Sequence, residues 1–99
     1  MRKITKLSFL NNYRIKCMFD NGDERILDLK EVINDKYREK ILSPDIFKKA
    51  QIGSFGEIFW KDMGAIKNLN GDIESCDYDI SSDFAYMKSV PHNSQLSSV

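Results

Sequence analysis

The sequence has very few of the residues on which enzymes and metal sites most often depend. One histidine, His92, and two cysteines, Cys17 and Cys76, occur among 99 residues. His92 lies in a polar, Ser-rich C-terminal segment that we expect to fray, which is a poor place for a nucleophile and its base. The two cysteines and the histidine are too far apart for the close ligand pairs of a zinc site. We therefore expect no enzyme activity, no catalytic residue, no metal and no cofactor.

Long apolar runs are also absent. The longest are far shorter than the ~20 residues that a membrane-spanning helix needs, and the N-terminal residues 1–10 lack the unbroken apolar segment of a signal peptide. Two cysteines are too few for a disulfide framework. These absences predict a soluble cytoplasmic protein with two free thiols and no contact with a membrane.

Net charge is zero, with fifteen basic and fifteen acidic residues, so the overall charge does not favour nucleic acid as a partner. The distribution is uneven: residues 1–50 hold twelve Lys or Arg against eight Asp or Glu, and residues 51–99 hold three against seven. The hydrophobic fraction of 41% is enough for a buried core. One polarised globular domain is expected over residues 1–89, followed by a flexible tail over 90–99.

Alternating polar and apolar residues predict a three-stranded antiparallel meander over residues 3–10, 13–19 and 24–28. The Asp20-Asn21-Gly22 segment allows a two-residue or a three-residue turn. The three-residue turn sets Ile15 opposite Leu27, and we prefer it because both are apolar. The same loop length at Leu10-Asn11-Asn12 sets Leu7 opposite Ile15 and Phe9 opposite Tyr13. One sheet face is then apolar, and the other carries Lys6, Ser8, Arg14 and Lys16.

Asp28 followed by Glu31 has the character of a capping box, which predicts a helix from Leu29 to about Ile41. Ser43-Pro44-Asp45 begins a shorter helix that ends near Lys49. Short strands are predicted over 50–53 and 57–60, with Trp60 in the core rather than exposed for stacking. A turn at 61–64 then leads to strands over 65–69 and 73–78, joined at Asn70-Gly71, and Ser81 caps a last helical turn.

Together these elements predict an α+β fold. Its antiparallel sheet is built from hairpins, with about three N-terminal strands and further short strands. One longer helix and one or two short helices pack against it.

Acidic residues are concentrated in the segment 72–83, which has no Lys or Arg: Asp72, Glu74, Asp77, Asp79 and Asp83. This density suggests a calcium site. An EF-hand loop that began at Asp77 would however place Ser82 where glycine is needed and Lys88 where glutamate is needed. We interpret the segment as a solvated acidic surface, and whether it binds a cation stays open.

Lys6, Arg14 and Lys16 are the candidate partner-binding residues, because three cations on adjacent strands could meet phosphate groups or an acidic protein surface. A solvated sheet face, or one covered by the acidic C-terminal half, explains the same pattern.

The spacing of turns and aromatic residues resembles one bacterial family, that of domain of unknown function 2442. The resemblance covers about residues 1–89 and rests on these segments: Phe19-Asp20-Asn21-Gly22, Leu27-Asp28-Leu29, Phe47, Glu57-Ile58-Phe59-Trp60, Tyr78-Asp79-Ile80-Ser81 and Phe84-Ala85-Tyr86. It implies a compact α+β domain and carries no catalytic residues. The connection over residues 61–76 is longer than in the usual pattern.

Members of this family are often encoded beside another small protein. The resemblance therefore implies an antitoxin-like or partner-binding role. From the sequence we expect a non-enzymatic protein-binding module, acting on a small protein partner or by self-association through the basic face or a strand edge. Weak nucleic-acid binding through Lys6, Arg14 and Lys16 is the alternative.

Overall fold

The computed structural model of the chain describes residues 2–92 and has the expected α+β class. Two antiparallel sheets and four short helices follow one another along the chain. The first sheet has the strand order β1-β2-β3-β7, from Ile4–Leu10, Arg14–Phe19, Glu24–Asp28 and Val90–Pro91. The second has the order β4-β5-β6, from Gln51–Ile52, Ile58–Lys67 and Ile73–Ile80. The helices are α1 (Leu29–Val32), α2 (Arg38–Ile41), α3 (Pro44–Phe47) and α4 (Ser82–Lys88).

The β2–β3 hairpin confirms the three-residue turn. Ile15 lies opposite Leu27, and Phe19 and Asp23 close the turn with a hydrogen bond of 2.9 Å from the Phe19 N–H to the Asp23 carbonyl. Asn21 stabilises it further, because its side-chain oxygen accepts the Asp23 N–H at 3.0 Å. Preferring the register that pairs apolar residues was therefore correct here.

The β1–β2 register differs from the predicted one by two residues. Phe9 lies opposite Ile15, and Leu7 lies opposite Cys17, because the loop consists of Asn11-Asn12-Tyr13. Asn12 and Tyr13 both have positive φ, and the Tyr13 ring packs edge-on against Phe47 instead of entering β2. An even shift leaves every side chain on its predicted face, so the apolar and polar faces are as expected.

The helix predicted over 29–41 is wrong as a continuous element. Asp28 caps α1 as expected, accepting the Lys30 N–H at 3.0 Å, but Ile33 has an extended backbone and α2 starts only at Arg38. The cause is local: the Asp35 carboxylate accepts the Tyr37 N–H at 3.0 Å, a side-chain turn that competes with the helix. The apolar side chains at 29, 33 and 41 are nevertheless fully buried.

Arg38 closes the break between α1 and α2. Its guanidinium donates hydrogen bonds to the carbonyl oxygens of Lys30 at 2.5 Å and Ile33 at 2.7 Å, which no longer have helical partners. Replacing Arg38 with Met keeps the apolar part of the side chain and removes both donors. We expect the free energy of unfolding to fall by about 1.5–3 kcal/mol in urea denaturation. Lys36→Met, at an exposed neighbouring position, should change it by less than about 0.5 kcal/mol, and equal losses in the two variants would contradict this role of Arg38.

The turn predicted at 61–64 is a bulge within one long strand. Trp60 lies opposite Tyr78 and Gly64 opposite Cys76, so residues 61–63 of β5 face Asp77 alone. Asp62 takes a φ of +57°, and its N–H donates to the Asp77 carboxylate at 3.2 Å. The bulge turns both Trp60 and Met63 towards the core with exposed Lys61 and Asp62 between them. The hairpin at Asn70-Gly71 is confirmed.

Side chains from both sheets and from the helices form one hydrophobic cluster. Trp60 is 1% exposed, which confirms that it belongs to the core. At the C-terminal end, Ser81 caps α4 by accepting the Phe84 N–H at 3.2 Å, and Val90 and Pro91 then pair with β3. Residues 93–99 of the predicted tail lie outside the described residues. Within residues 2–92 no helix is long and apolar enough to cross a membrane.

Candidate functional site

The three predicted cations share the outer face of the first sheet. Lys6 and Lys16 border a depression of about 40 Å³, where the Lys16 ammonium lies 3.3 Å from the Glu24 carboxylate. Arg14 lies beside another depression, of about 220 Å³, which is also lined by Asp28 and Glu31. Its Nε donates to the Asn11 carbonyl at 3.0 Å. Glu24, Asp28 and Glu31 therefore offset part of the positive charge on this face, although Lys88 also lines the depression beside Arg14.

A larger and more strongly basic concavity lies on the second sheet, and we name it the lysine groove. Its volume is about 600 Å³, within the range of ligand-binding clefts. The uncharged part of the lining consists of Gln51 and four apolar residues, which we refer to as the apolar floor: Ile46, Ala50, Trp60 and Met63. Four lysines and one acidic residue complete the lining: Lys40, Lys48, Lys49, Lys61 and Asp62.

Short elements bring these lysines together from separate parts of the chain. Lys40 belongs to α2, and Lys48 and Lys49 follow the last residue of α3. Lys61 projects from the β5 bulge, which buries Trp60 and Met63 on either side and exposes the residues between them. The Lys40 ammonium donates to the Met63 carbonyl at 3.4 Å, which links α2 to the bulge. The bulge is therefore the feature that joins an apolar floor to a basic rim.

The charge of the lysine groove is poorly compensated. The lining contains four lysines and one acidic residue, Asp62. In the described part of the chain, none of the four lysines forms an ion pair with a carboxylate. All four are exposed, and an anionic group could approach Lys48, Lys49 and Lys61 directly, whereas the Lys40 ammonium already donates to the Met63 carbonyl.

The acidic residues of 72–83 are spread along β6 and its flanks instead of converging. Asp77 accepts the Asp62 N–H, and Asp83 accepts the Arg2 backbone N–H at 3.3 Å. Asp72 and Glu74 lie near the Asn70-Gly71 turn, and Asp79 lies opposite Phe59. Across residues 2–92 no group of three or more potential metal ligands comes together.

Three titratable groups are held in one protonation state by their surroundings. Burial raises the pKa of the Cys17 thiol to about 12, which keeps it protonated and unreactive. Burial, and then the hydrogen bond to Asp35 at 2.9 Å, raises the pKa of Tyr78 to about 12. The Tyr86 hydroxyl, 2.6 Å from Asp23, holds the pKa of that carboxyl below its usual value. None of the three residues belongs to the lining of the lysine groove.

Comparison with known proteins places the chain in a family. A family model described as a protein of unknown function (DUF2442) matches residues 4–82, which extend from β1 to the first residue of α4. No curated protein and no solved structure matches the chain. The matched range includes the whole lysine groove, both hairpins of the N-terminal meander and the hairpin at Asn70-Gly71. The chain belongs to the DUF2442 family of proteins of unknown function.

Proposed function

We propose that the protein is a non-enzymatic protein-binding module, and that its lysine groove binds an acidic segment of a partner protein. The observation that carries the proposal is the combination of an apolar floor with four exposed lysines at its rim. An apolar floor suits the aliphatic or aromatic side chains of a peptide, and the rim suits its carboxylates. The second protein of an antitoxin-like pair is the first candidate partner.

A protein partner is better supported than nucleic acid. Proteins that bind single strands stack bases on exposed aromatic rings, but Trp60, the aromatic residue of this groove, is 1% exposed. The charge of the alternative site at Lys6, Arg14 and Lys16 is partly neutralised, by Glu24 beside Lys16 and by Asp28 and Glu31 beside Arg14. With zero net charge, little long-range attraction for a phosphate backbone remains.

Reversing two charges in the groove tests the proposal. We expect Lys48→Glu combined with Lys49→Glu to weaken binding of an acidic peptide rich in Glu, Leu and Phe by about tenfold or more, because two attractive contacts become repulsive. The affinity of a fluorescein-labelled twelve-residue probe is measured by fluorescence anisotropy. A single-stranded oligonucleotide serves as the second probe.

The matched control reverses the same charge on the other sheet, in Lys6→Glu combined with Lys16→Glu. This variant should bind the peptide as tightly as the unaltered protein. A loss of peptide binding in this control alone would transfer the site to the sheet face, and tighter binding of the oligonucleotide than of the peptide would reject a protein partner. Co-expression with the product of the adjacent gene gives a probe-independent test, and a purified complex should be lost in the groove variant.

A further inference from the structure

The outer part of the β5–β6 hairpin, residues 64–76, stands apart from the rest of the second sheet, and we name it the arm. β4 pairs only with Ile58 and Phe59, near the start of β5, and β6 is the edge strand. The arm is therefore a two-stranded ribbon with a free backbone edge on each side in the described part of the chain. The described chain is correspondingly elongated, with extents of 54 × 27 × 19 Å.

Three large aliphatic side chains on the arm are open to solvent. Ile66 is 56% exposed, Ile73 is 76% exposed, and Leu69 at the tip is fully exposed. A two-stranded hairpin without a third strand or a covering helix is at best marginally stable in water. Exposed aliphatic residues together with open strand edges are the usual features of a segment that docks against another chain.

The arm is also acidic near its tip. Asp72 and Glu74 lie beside the turn, and Lys67 is the one basic residue of the arm, while Asp77 and Asp79 lie further along β6, beyond the arm. Two β6 edges are poorly suited to one another, because antiparallel pairing would bring acidic side chains of both copies together. The arm instead combines aliphatic groups with carboxylates, which is the chemistry that the lysine groove accommodates.

We propose that the arm of a second copy of this chain occupies the lysine groove. The proposal rests on the proposed function, since it names a partner for the same groove. Charge complementarity supports it: Asp72 and Glu74 of one copy would approach the lysines at the rim. Leu69 at the tip, or Ile66, which pairs with Glu74 across the ribbon and shares its face, would cover the apolar floor. If each copy inserts its arm into the other, the contact is closed and two-fold, and it yields a dimer.

Salt dependence is the first expected property. Exposed charges interact over about 10 Å at 0.1 M salt and about 3 Å at 1 M. Size-exclusion chromatography with light scattering should therefore give a dimer at low salt and a monomer near 1 M. A protein that stays monomeric at low salt, at concentrations up to about 0.5 mM, would overturn the proposal, because even a weak contact with a Kd of about 0.1 mM would be largely dimeric there.

Charge exchange gives the decisive test. Asp72→Lys with Glu74→Lys makes the arm basic, and Lys48→Glu with Lys49→Glu makes the groove acidic, so each variant alone should be monomeric. An equimolar mixture should dimerise, because the basic arm of one variant meets the acidic groove of the other and the reverse contact is also complementary. The control, Asp20→Lys with Glu31→Lys, makes the same charge change at exposed sites away from the arm and should stay dimeric.

The two proposals fail in different ways. Binding of the acidic peptide by a protein that never dimerises would reject the second copy as occupant and leave the protein-binding function standing. Dimers that persist in both charge variants would reject this interface. If the unaltered protein neither binds the acidic peptide nor dimerises, the lysine groove is not a binding site. Circular dichroism of each variant checks that the fold is retained, so that a monomeric result reflects the interface.

Discussion

Replacing Trp60 with alanine is expected to lower the free energy of unfolding by about 3–5 kcal/mol, because it removes a large aromatic side chain from a closely packed core. Trp60 is 1% exposed and packs against Tyr78, with ring centroids 6.0 Å apart. Its indole N–H donates to the Phe47 carbonyl at 3.4 Å, so the substitution also removes the donor to a buried acceptor. A loss of this size is a large part of the total stability of a small domain.

Urea denaturation followed by far-ultraviolet circular dichroism measures this effect. Fluorescence is unsuitable because Trp60 is the single tryptophan of the chain. Phe55→Ala is the matched control, since Phe55 is also aromatic but 69% exposed, and it should cost less than about 1 kcal/mol. A Trp60→Ala variant that loses no more than the Phe55 variant would show that Trp60 is not a core residue.

Local chemistry predicted the elements that depend on neighbouring residues. The Asp20-Asn21-Gly22 turn, the Asp28 and Ser81 caps and the Asn70-Gly71 hairpin each result from interactions within a few residues, and the structure has all of them. The β1–β2 loop was misjudged because Tyr13 packs against Phe47, which lies 34 residues further along the chain. The local sequence pattern does not indicate a contact between residues so far apart in the chain.

The break between α1 and α2 has a similar explanation. The spacing of Leu29, Ile33 and Ile41 fits a helix, and all three are buried, but Asp35 and Arg38 satisfy the backbone without one. The four-residue apolar spacing therefore predicted the buried side chains correctly, but the continuous helix that it also predicted is wrong. A capping side chain within an apolar period is the signal that could have predicted the break.

The lysine groove could not be derived from the sequence. Its lysines come from α2, the end of α3 and β5, and no spacing rule connects Lys40, Lys48 and Lys61. The β5 bulge also depends on tertiary structure, because Asp77 on the neighbouring strand accepts the Asp62 N–H. Lys6, Arg14 and Lys16 could be predicted because strand alternation alone assigns them to one face.

Gly56→Ala is expected to destabilise the protein by about 2–5 kcal/mol, the sum of a backbone penalty and a steric one. Gly56 has a φ of +78°, in the left-handed region that favours glycine. A Cβ at this position would lie 2.7 Å from the Lys3 Cα and 2.5 Å from its Cβ. The Gly56 carbonyl accepts the Ile4 N–H at 3.1 Å, so the clash falls where β1 of the first sheet meets the hairpin of the second.

Gly22→Ala separates the two causes, because Gly22 has a similar φ of +90° but an added Cβ would meet no atom within 4 Å. The Gly22 variant should lose only the backbone penalty of about 1–2 kcal/mol, and the difference between the variants measures the contact with Lys3. Urea denaturation of both proteins gives the two values under the same conditions. Equal losses would mean that β1 does not press against Gly56. A larger loss for Gly56→Ala would establish that β1 of the first sheet lies against Gly56 of the second so closely that no Cβ fits between them.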